Sequence, residues 1–419
     1  MSVQTDLILV TPIIPGKYKE LSASLEQIRQ GLSSGSFKEF EKIDTLHYAR
    51  WVLLENQLSN GVPNLVFNSD YDGDENEHLT LLSTAWGDLL DNLYGCCEGY
   101  PTANDRTTES RKNYLKKWRN TSEAFYIGAR SRSLKQIKQE SSLRNAIWDY
   151  LHKNKFDGKT AAQIHTQIRE YIATLPEFAW SNEKIQLPQV KWWNFILVVG
   201  VLLLLLPVVL PVVLIWLLVV HFFYEKKDKP LGLPPSKIND QLISTLEGYE
   251  DHINQNQFTQ IVAMKPGMVR FITIKAILLY GKFRILNEFV KGELMGIPTI
   301  HFAQWVLIDN NKQVLFFSNF DGSWQQYLGD FIDKSGWGLT AIFSNTADFP
   351  ETRWLFWGGA YDEEHFLAWA RYTNVPSQVW YSAYPKLSIK NINTNTIIRH
   401  ELIKTDLSEE QAQTFLNRF

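Results

Sequence analysis

The chain has 419 residues, 45% hydrophobic and 21% charged, a balance that excludes a disordered or fibrous protein and allows two or three domains with cores of their own. Its net charge of −3, without a concentrated Lys/Arg face, argues against nucleic acid as a main partner, because phosphate binding depends on clustered cations. The two cysteines, Cys96 and Cys97, are sequence neighbours, which rarely close a structural disulfide, and a reducing compartment fits best.

The first six residues are polar, so no secretory signal is expected there. Periodicity then predicts a strand over 7–14, an amphipathic helix over 16–30, strands over 46–54 and 65–67, helices over 78–93 and 107–120, and a strand over 124–129. Residues 151–190 read as a helical connector, with Ile164, Ile168, Ile172 and Leu175 at helical spacing ahead of Pro188.

A membrane segment follows at 191–229, and its stretch 192–224 contains no Asp, Glu, Lys or Arg. An unbroken helix of that length would reach roughly 50 Å against a hydrocarbon core of ~30 Å. Pro207 and Pro211 stand near its centre, each removing a backbone donor, which predicts two short helices that enter and leave the same face as a monotopic hairpin. Both flanks carry aromatic and basic anchors, Lys191, Trp192 and Trp193 on one side and Phe222, Phe223, Tyr224, Lys226 and Lys227 on the other, so both read as cytoplasmic ends. The linker at 230–262 includes a stiff Pro-rich exit at 230–235, a polar helix at 236–249, and the amides Gln255, Asn256 and Gln257, for which no partner is evident. Beyond it, the pattern predicts a strand over 270–278, a helix over 282–291, strands over 299–308 and 314–317, helices over 323–334 and 363–372, and a strand over 378–384.

The two halves resemble each other. The stretch 44–56, which contains Thr45, His47, Ala49, Trp51 and Val52, reappears at 298–310 as Thr299, His301, Ala303, Trp305 and Val306 with a constant offset of 254. Downstream, Ser69-Asp70-Tyr71-Asp72-Gly73 matches Ser318-Asn319-Phe320-Asp321-Gly322, the intervening loop being five residues shorter in the second copy. A third match sets 114–126 over 366–381. Each copy reads as β-α-β-β-α-β with an extra helix before the last strand, the order of a ferredoxin-like unit.

Tandem units of this order with an Asp-Gly step after the third strand resemble the dimeric α+β barrel superfamily, distantly like the dye-decolorising peroxidases. The resemblance implies an α+β fold in which two tandem ferredoxin-like repeats, at 1–150 and 263–419, form a pseudo-dimeric barrel-like core interrupted by the membrane hairpin. It also implies haem as a cofactor, with a distal acid at Asp72 or Asp321, although the first glycine of the peroxidase pattern Gly-x-x-Asp-Gly is Ser69 or Ser318 here. The second half further resembles an uncharacterised bacterial group through the strings at 301–305, 318–324 and 380–385, a likeness that brings no reaction with it.

Strand alternation places His47, Ala49 and Trp51 on one face, with His301, Ala303 and Trp305 repeating the set. Either imidazole suits an axial haem ligand or a general base, and either also suits a core histidine bonded to a carbonyl. Asp72 and Asp321 precede a glycine and a helix, where a carboxylate caps free backbone amides. Any pocket is expected in the second copy among His301, Asn319, Asp321, Trp324 and Arg371, with His47 and Asp72 as pseudo-symmetric counterparts. The aromatic density over 337–369 is expected either to line an apolar pocket or to be core. No phosphate loop and no zinc-ligand spacing occurs. These features point to a membrane-anchored protein on the cytoplasmic side that binds a lipid or hydrophobic metabolite, the bilayer being its partner; a haem-dependent peroxidase-like oxidoreductase is the alternative.

Overall fold

The computed structural model describes residues 4–185, 187–229 and 253–419; the expected Pro-rich exit at 230–235 and polar helix at 236–249 lie outside them. The fold is α+β, with antiparallel sheets and one long apolar helix. The first half runs β1 (Gln4–Pro12), α1 (Tyr18–Ser34), β2 (Leu46–Leu54), β3 (Asn64–Asp72), α2 (Glu75–Ala85), α3 (Gly87–Tyr94), α4 (Thr108–Lys117), β4 (Arg119–Asn120), β5 (Ser122–Ile127) and α5 (Leu134–Lys153). A connector helix α6 (Ala161–Ala173) and the apolar helix α7 (Trp192–Val219) follow. The second half runs β6 (Gln255–Ala263), α8 (Met268–Asn287), β7 (Ile300–Ile308), β8 (Gln313–Asp321), α9 (Trp324–Phe343), β9 (Thr352–Arg353), β10 (Trp357–Gly358), α10 (Glu363–Tyr372), β11 (Val379–Ser382), α11 (Ile389–Leu402) and α12 (Glu409–Leu416).

The two main sheets have the orders β11-β2-β3-β1-β4 and β5-β7-β8-β6. Corresponding strands pair in the same register: Gln4 faces Asp72 as Gln255 faces Asp321, and Trp51 faces Phe67 as Trp305 faces Phe316. The last strand of each half leaves its own sheet for the other, so that Tyr126 pairs with Ala303 and Tyr381 with Ala49. Both crossings keep the ladder hydrogen-bonded. Arg119 and Asn120 pair with β1 just before Ser122 joins β7, while Asn374 bridges to Gln260 and Val375 N donates to Thr259 O just before Val379 joins β2.

Burial explains why β2 and β7 read as nearly continuous apolar runs, since every residue of both is buried. Their inner faces meet in one cluster that includes Val52, Leu54, Val66, Val306, Ile308 and Phe317. The outer faces are covered by helices. Trp51 and Phe67 pack with Leu21, Leu25 and Leu82 of the first half, and Trp305 and Phe316 pack with Ile274, Leu278 and Phe343 of the second. Truncating a tryptophan as buried as Trp51 costs roughly 3–5 kcal/mol.

Three expectations require correction. The stretch 270–278 is not a strand: it lies in α8, which also covers most of the expected helix at 282–291. Its apolar residues occupy the whole circumference, Ile274, Leu278 and Ile285 facing the core while Met268, Ile272, Leu279 and Leu286 face outward, and this erased the helical period. The true first strand is β6, so the second half begins at Gln255 within the expected linker, ahead of the boundary at 263. Finally, no hairpin forms, because α7 runs through both Pro207 and Pro211 as one helix. Each proline removes a single N–H from a helix of 28 residues, and the remaining bonds keep it one helix.

Both ends of α7 are fastened near opposite ends of α8. At the first end Lys191 N donates to Asn287 O at 2.9 Å, and the Phe195 and Phe283 rings lie 5.0 Å apart. At the other end Trp216 Nε1 donates to Thr273 Oγ1 at 2.9 Å, and Asp228 pairs with both Lys265 and Arg270 at 2.6 Å. The Glu225 carboxylate there accepts from Trp354 N, Leu355 N and Thr352 Oγ1. Between these anchors the helix stands clear of the body, with Leu203, Leu204 and Val208 each more than 60% exposed.

Candidate functional site

Both candidate histidines sit at β-bulges. The β2–β3 register shifts between Leu46 and Tyr48 and the β7–β8 register between Ile300 and Phe302, so His47 and His301 are the extra residues in their strands. A bulge re-aims a side chain, and here it breaks the simple alternation that would group His47 with Ala49 and Trp51. Instead the His47 ring lies edge-on to Phe302 and Tyr384, at 5.6 and 5.7 Å, and His301 lies 5.6 Å from Tyr48.

Each histidine meets the aspartate that closes the hairpin of its own half. His47 Nε2 is 3.1 Å from Asp72 Oδ1, and His301 Nε2 is 2.8 Å from Asp321 Oδ1. The second carboxylate oxygens accept from Leu134 N at 2.6 Å and Ile389 N at 2.7 Å, the first residues of α5 and α11. Thus these aspartates do not cap the helices that directly follow them, whose caps are Asp74 and Ser323. They tie the strand hairpin and the histidine to a helix that follows the exchanged strand.

The two halves differ at the other imidazole nitrogen. His47 Nδ1 lies 3.1 Å from the Tyr384 hydroxyl, whereas His301 Nδ1 is buried without a hydrogen-bond partner. Ala383 N donates to His47 O as Gly128 N donates to His301 O, so Ala129 holds the place in the first half that Tyr384 holds in the second. Burial drives the Tyr384 hydroxyl well above the ordinary phenol range.

Asn319 lies deeper, between the sheets. Its Oδ1 accepts from Arg50 Nη2 and from Trp380 Nε1, and its Nδ2 donates to Asp70 Oδ2 at 3.0 Å. Gln304 Nε2 donates to the other oxygen of Asp70, and Arg50 also bonds the carbonyls of Phe258 and Ser318 at 3.1 Å. Burial pushes the Asp70 carboxyl up to about 8 and the Arg50 guanidinium down to about 10. The amides 255–257 find their partners here: Gln255 Oε1 accepts from Tyr48 OH and Ser382 Oγ, and Gln257 Oε1 accepts from Ser377 Oγ.

The expected site residues therefore divide. His301, Asp321 and Asn319 belong to the region between the sheets, while Trp324 is in the outer helical core with the Arg371 guanidinium 3.6 Å above its ring. The aromatic stretch divides: Phe343, Phe349, Phe366 and Trp369 are core, packing with centroid distances of 4.9 to 6.1 Å, while Trp337, Trp357 and Tyr361 are exposed.

These residues do not suit haem. Each candidate axial imidazole turns Nε2 to a carboxylate and is walled by aromatic rings, and both are at most 1% exposed. Among the described residues no group of three or more His, Cys, Asp and Glu could hold a metal ion.

A large cleft lies elsewhere, at the foot of α7. It has a volume of about 1050 Å³ and is lined by Ile127, Arg130, Leu187, Lys191, Leu286 and Val290, among others. An adjoining cleft of about 440 Å³ shares Arg130, Ser131 and Leu187 and adds Arg132 and Lys184. The signal for it in the sequence is a pair of arginines, 130 and 132, in the short loop between a strand and a Ser-capped helix.

The chain is thus an α+β protein of two cross-connected antiparallel sheets, and among the described residues one helix, 192–227, is long and apolar enough to cross a membrane. Neither the family models nor the curated proteins contain a match to it.

Proposed function

We propose that this is a membrane-anchored binding protein: two tandem ferredoxin-like repeats closed into a pseudo-dimeric barrel, held on the cytoplasmic face of a bilayer by α7, taking up a lipid or hydrophobic metabolite from that bilayer. The observation that carries the reading is the attachment of both ends of one exposed apolar helix to a single helix of the body. From Lys191 to Tyr224 the segment is about 50 Å long, while the stretch of α8 between its anchors, Asn287 to Arg270, is about 26 Å. The apolar middle therefore cannot lie flush on α8 and is free to enter lipid.

A crossing helix fastened in this way would draw α8 into the hydrocarbon alongside it. That helix carries Lys275, Lys282 and Arg284, whose charges are costly there. Immersion in one leaflet leaves them at the headgroups. The outward residues Ile272, Leu279 and Leu286 of α8 extend the same apolar face. The cleft at the foot of α7 opens beside this face, which supports uptake of an apolar ligand there.

The test uses single cysteines placed at Glu183 and Lys227, the native Cys96 and Cys97 being buried. A membrane-impermeant thiol reagent is expected to label neither site in intact cells and both after lysis. Labelling of one site alone in intact cells would establish a crossing and defeat the proposal.

A further inference from the structure

We propose that the cleft at the foot of α7 binds an anionic amphiphile, its phosphate or carboxylate held by Arg130 and Arg132 and its apolar tail lying along Ile127, Leu187, Leu286 and Val290 toward the bilayer. This rests on the membrane-anchored reading above, but its chemistry comes from a separate set of residues.

The two arginines are built into the body, and among the described residues neither forms an ion pair with a carboxylate. Arg132 is 6% exposed; its Nη1 donates to Asn393 Oδ1, while its Nε is buried without a hydrogen-bond partner. The Arg130 Nε is likewise buried and unpartnered, and its Nη2 reaches Ile285 O only at 3.4 Å. The carboxylate that acts on Arg132 is Glu140, already engaged by Thr396 Oγ1 at 2.6 Å, Gln136 Nε2 at 2.8 Å and Arg399 at 3.4 Å. Burial lowers the proton affinity of both guanidiniums, the electrostatic mark of cations removed from water without full compensation. An anion in the cleft supplies that compensation, and the planar fork of arginine suits phosphate and carboxylate oxygens in paired bonds.

The backbone that carries the pair is held in place. Ser131 between them adopts φ 66°, a conformation uncommon outside glycine. Gln4 locks it from both sides, accepting from Ser131 N at 3.1 Å and donating to Arg132 O at 3.0 Å. Lys191 at the rim adds positive charge and directly precedes α7, so a ligand whose head is at the arginines has its tail beside the helix that enters lipid. The His400 Nδ1, buried and unpartnered on another wall, offers a further polar contact.

The experiment uses the full-length protein in a nonionic detergent and measures binding of soluble dihexanoyl phosphatidic acid by calorimetry. Dihexanoyl phosphatidylcholine and inorganic phosphate serve as comparison probes. Saturable binding of the phosphatidic acid is expected, weakened at least tenfold in Arg130→Gln and Arg132→Gln and partly restored in Arg132→Lys. If Arg132→Gln does not fold, Leu286→Gln at the half-exposed tail wall must still weaken the phosphatidic acid. Equal binding of the zwitterionic lipid, or no effect of the arginine changes, overturns the headgroup assignment, and equal binding of inorganic phosphate overturns the amphiphile. Flotation of the wild type with neutral vesicles separates the two readings. Flotation without phosphatidic acid binding removes this site and keeps the anchor, whereas binding without flotation removes the anchor.

Discussion

Asn319 donates to Asp70 at 3.0 Å across the junction of the two halves, and the two residues occupy corresponding positions on β8 and β3, each two before the aspartate that meets a histidine. The same exchange recurs beside them, where Arg50 bonds Asn319 and its counterpart Gln304 bonds Asp70. Two carboxylates at this junction would repel each other in a dry interior. The amide on β8 removes the conflict and bridges the buried guanidinium to the buried acid.

Asp70 should impose a pH dependence on stability. Burial raises its carboxyl from 3.8 to about 8, so between those values the folded chain holds a proton that the unfolded chain has released. Its stabilising contribution is complete below the lower value and is lost as pH rises through the upper one, with a slope of up to about 1.4 kcal/mol per pH unit. Urea denaturation at pH 5 and pH 8 should show this fall in the wild type and a flatter profile in Asp70→Asn. An identical profile in the variant would reject the assignment.

Asp321→Ala should destabilise the fold by about 2–4 kcal/mol, because it strips a partner from buried His301 and from the first amide of α11 at once. Asp321→Asn retains an acceptor and should cost about half as much. Comparing urea midpoints at constant m-value measures both, and equal losses would show that the hydrogen bonds to this side chain contribute little.

Breaking the second anchor of α7 should loosen that end of the helix. Arg270 is 1% exposed and shares Asp228 with Lys265, so Asp228→Asn leaves two cations close together with no carboxylate between them. We expect cleavage by trypsin at Lys226 and Lys227 to accelerate at least several-fold in the variant. An unchanged digestion rate would mean that Glu225 and Trp216 suffice to hold this end.

Expression with added haemin should yield a protein without a Soret band, given that both candidate ligands turn Nε2 to carboxylates inside an aromatic wall. A band that is present in the wild type and lost in His301→Ala would overturn this expectation and restore the oxidoreductase reading.

Much of the strand framework was legible in the sequence, because the hairpins of both halves carry long runs buried on two faces and end at the same Asp-Gly step. The first strand of the second half was not, since β6 opens with amides whose partners, Tyr48 and Ser382 among them, lie more than 100 residues away. The helix after it was hidden for a different reason: apolar side chains outside as well as inside left no period to read. Among the site residues, the His–Asp pairs follow from their repetition. Their orientation does not, because a bulge is a matter of register between strands and leaves no mark in either strand alone. Arg130 and Arg132 escaped notice because their significance lies in what fails to meet them.

The exchange of closing strands also governs the order of events during synthesis. The outer edge of β2 stays unpaired until β11 has been made, and Leu53 waits for the side chain of Gln378 across 325 residues. The apolar helix emerges from the ribosome between these two moments. On the membrane-anchored reading proposed above, a nascent chain would meet the lipid surface while its first sheet still has an open, aggregation-prone edge, and docking there would keep that edge apart from other chains until the second half arrives to cover it.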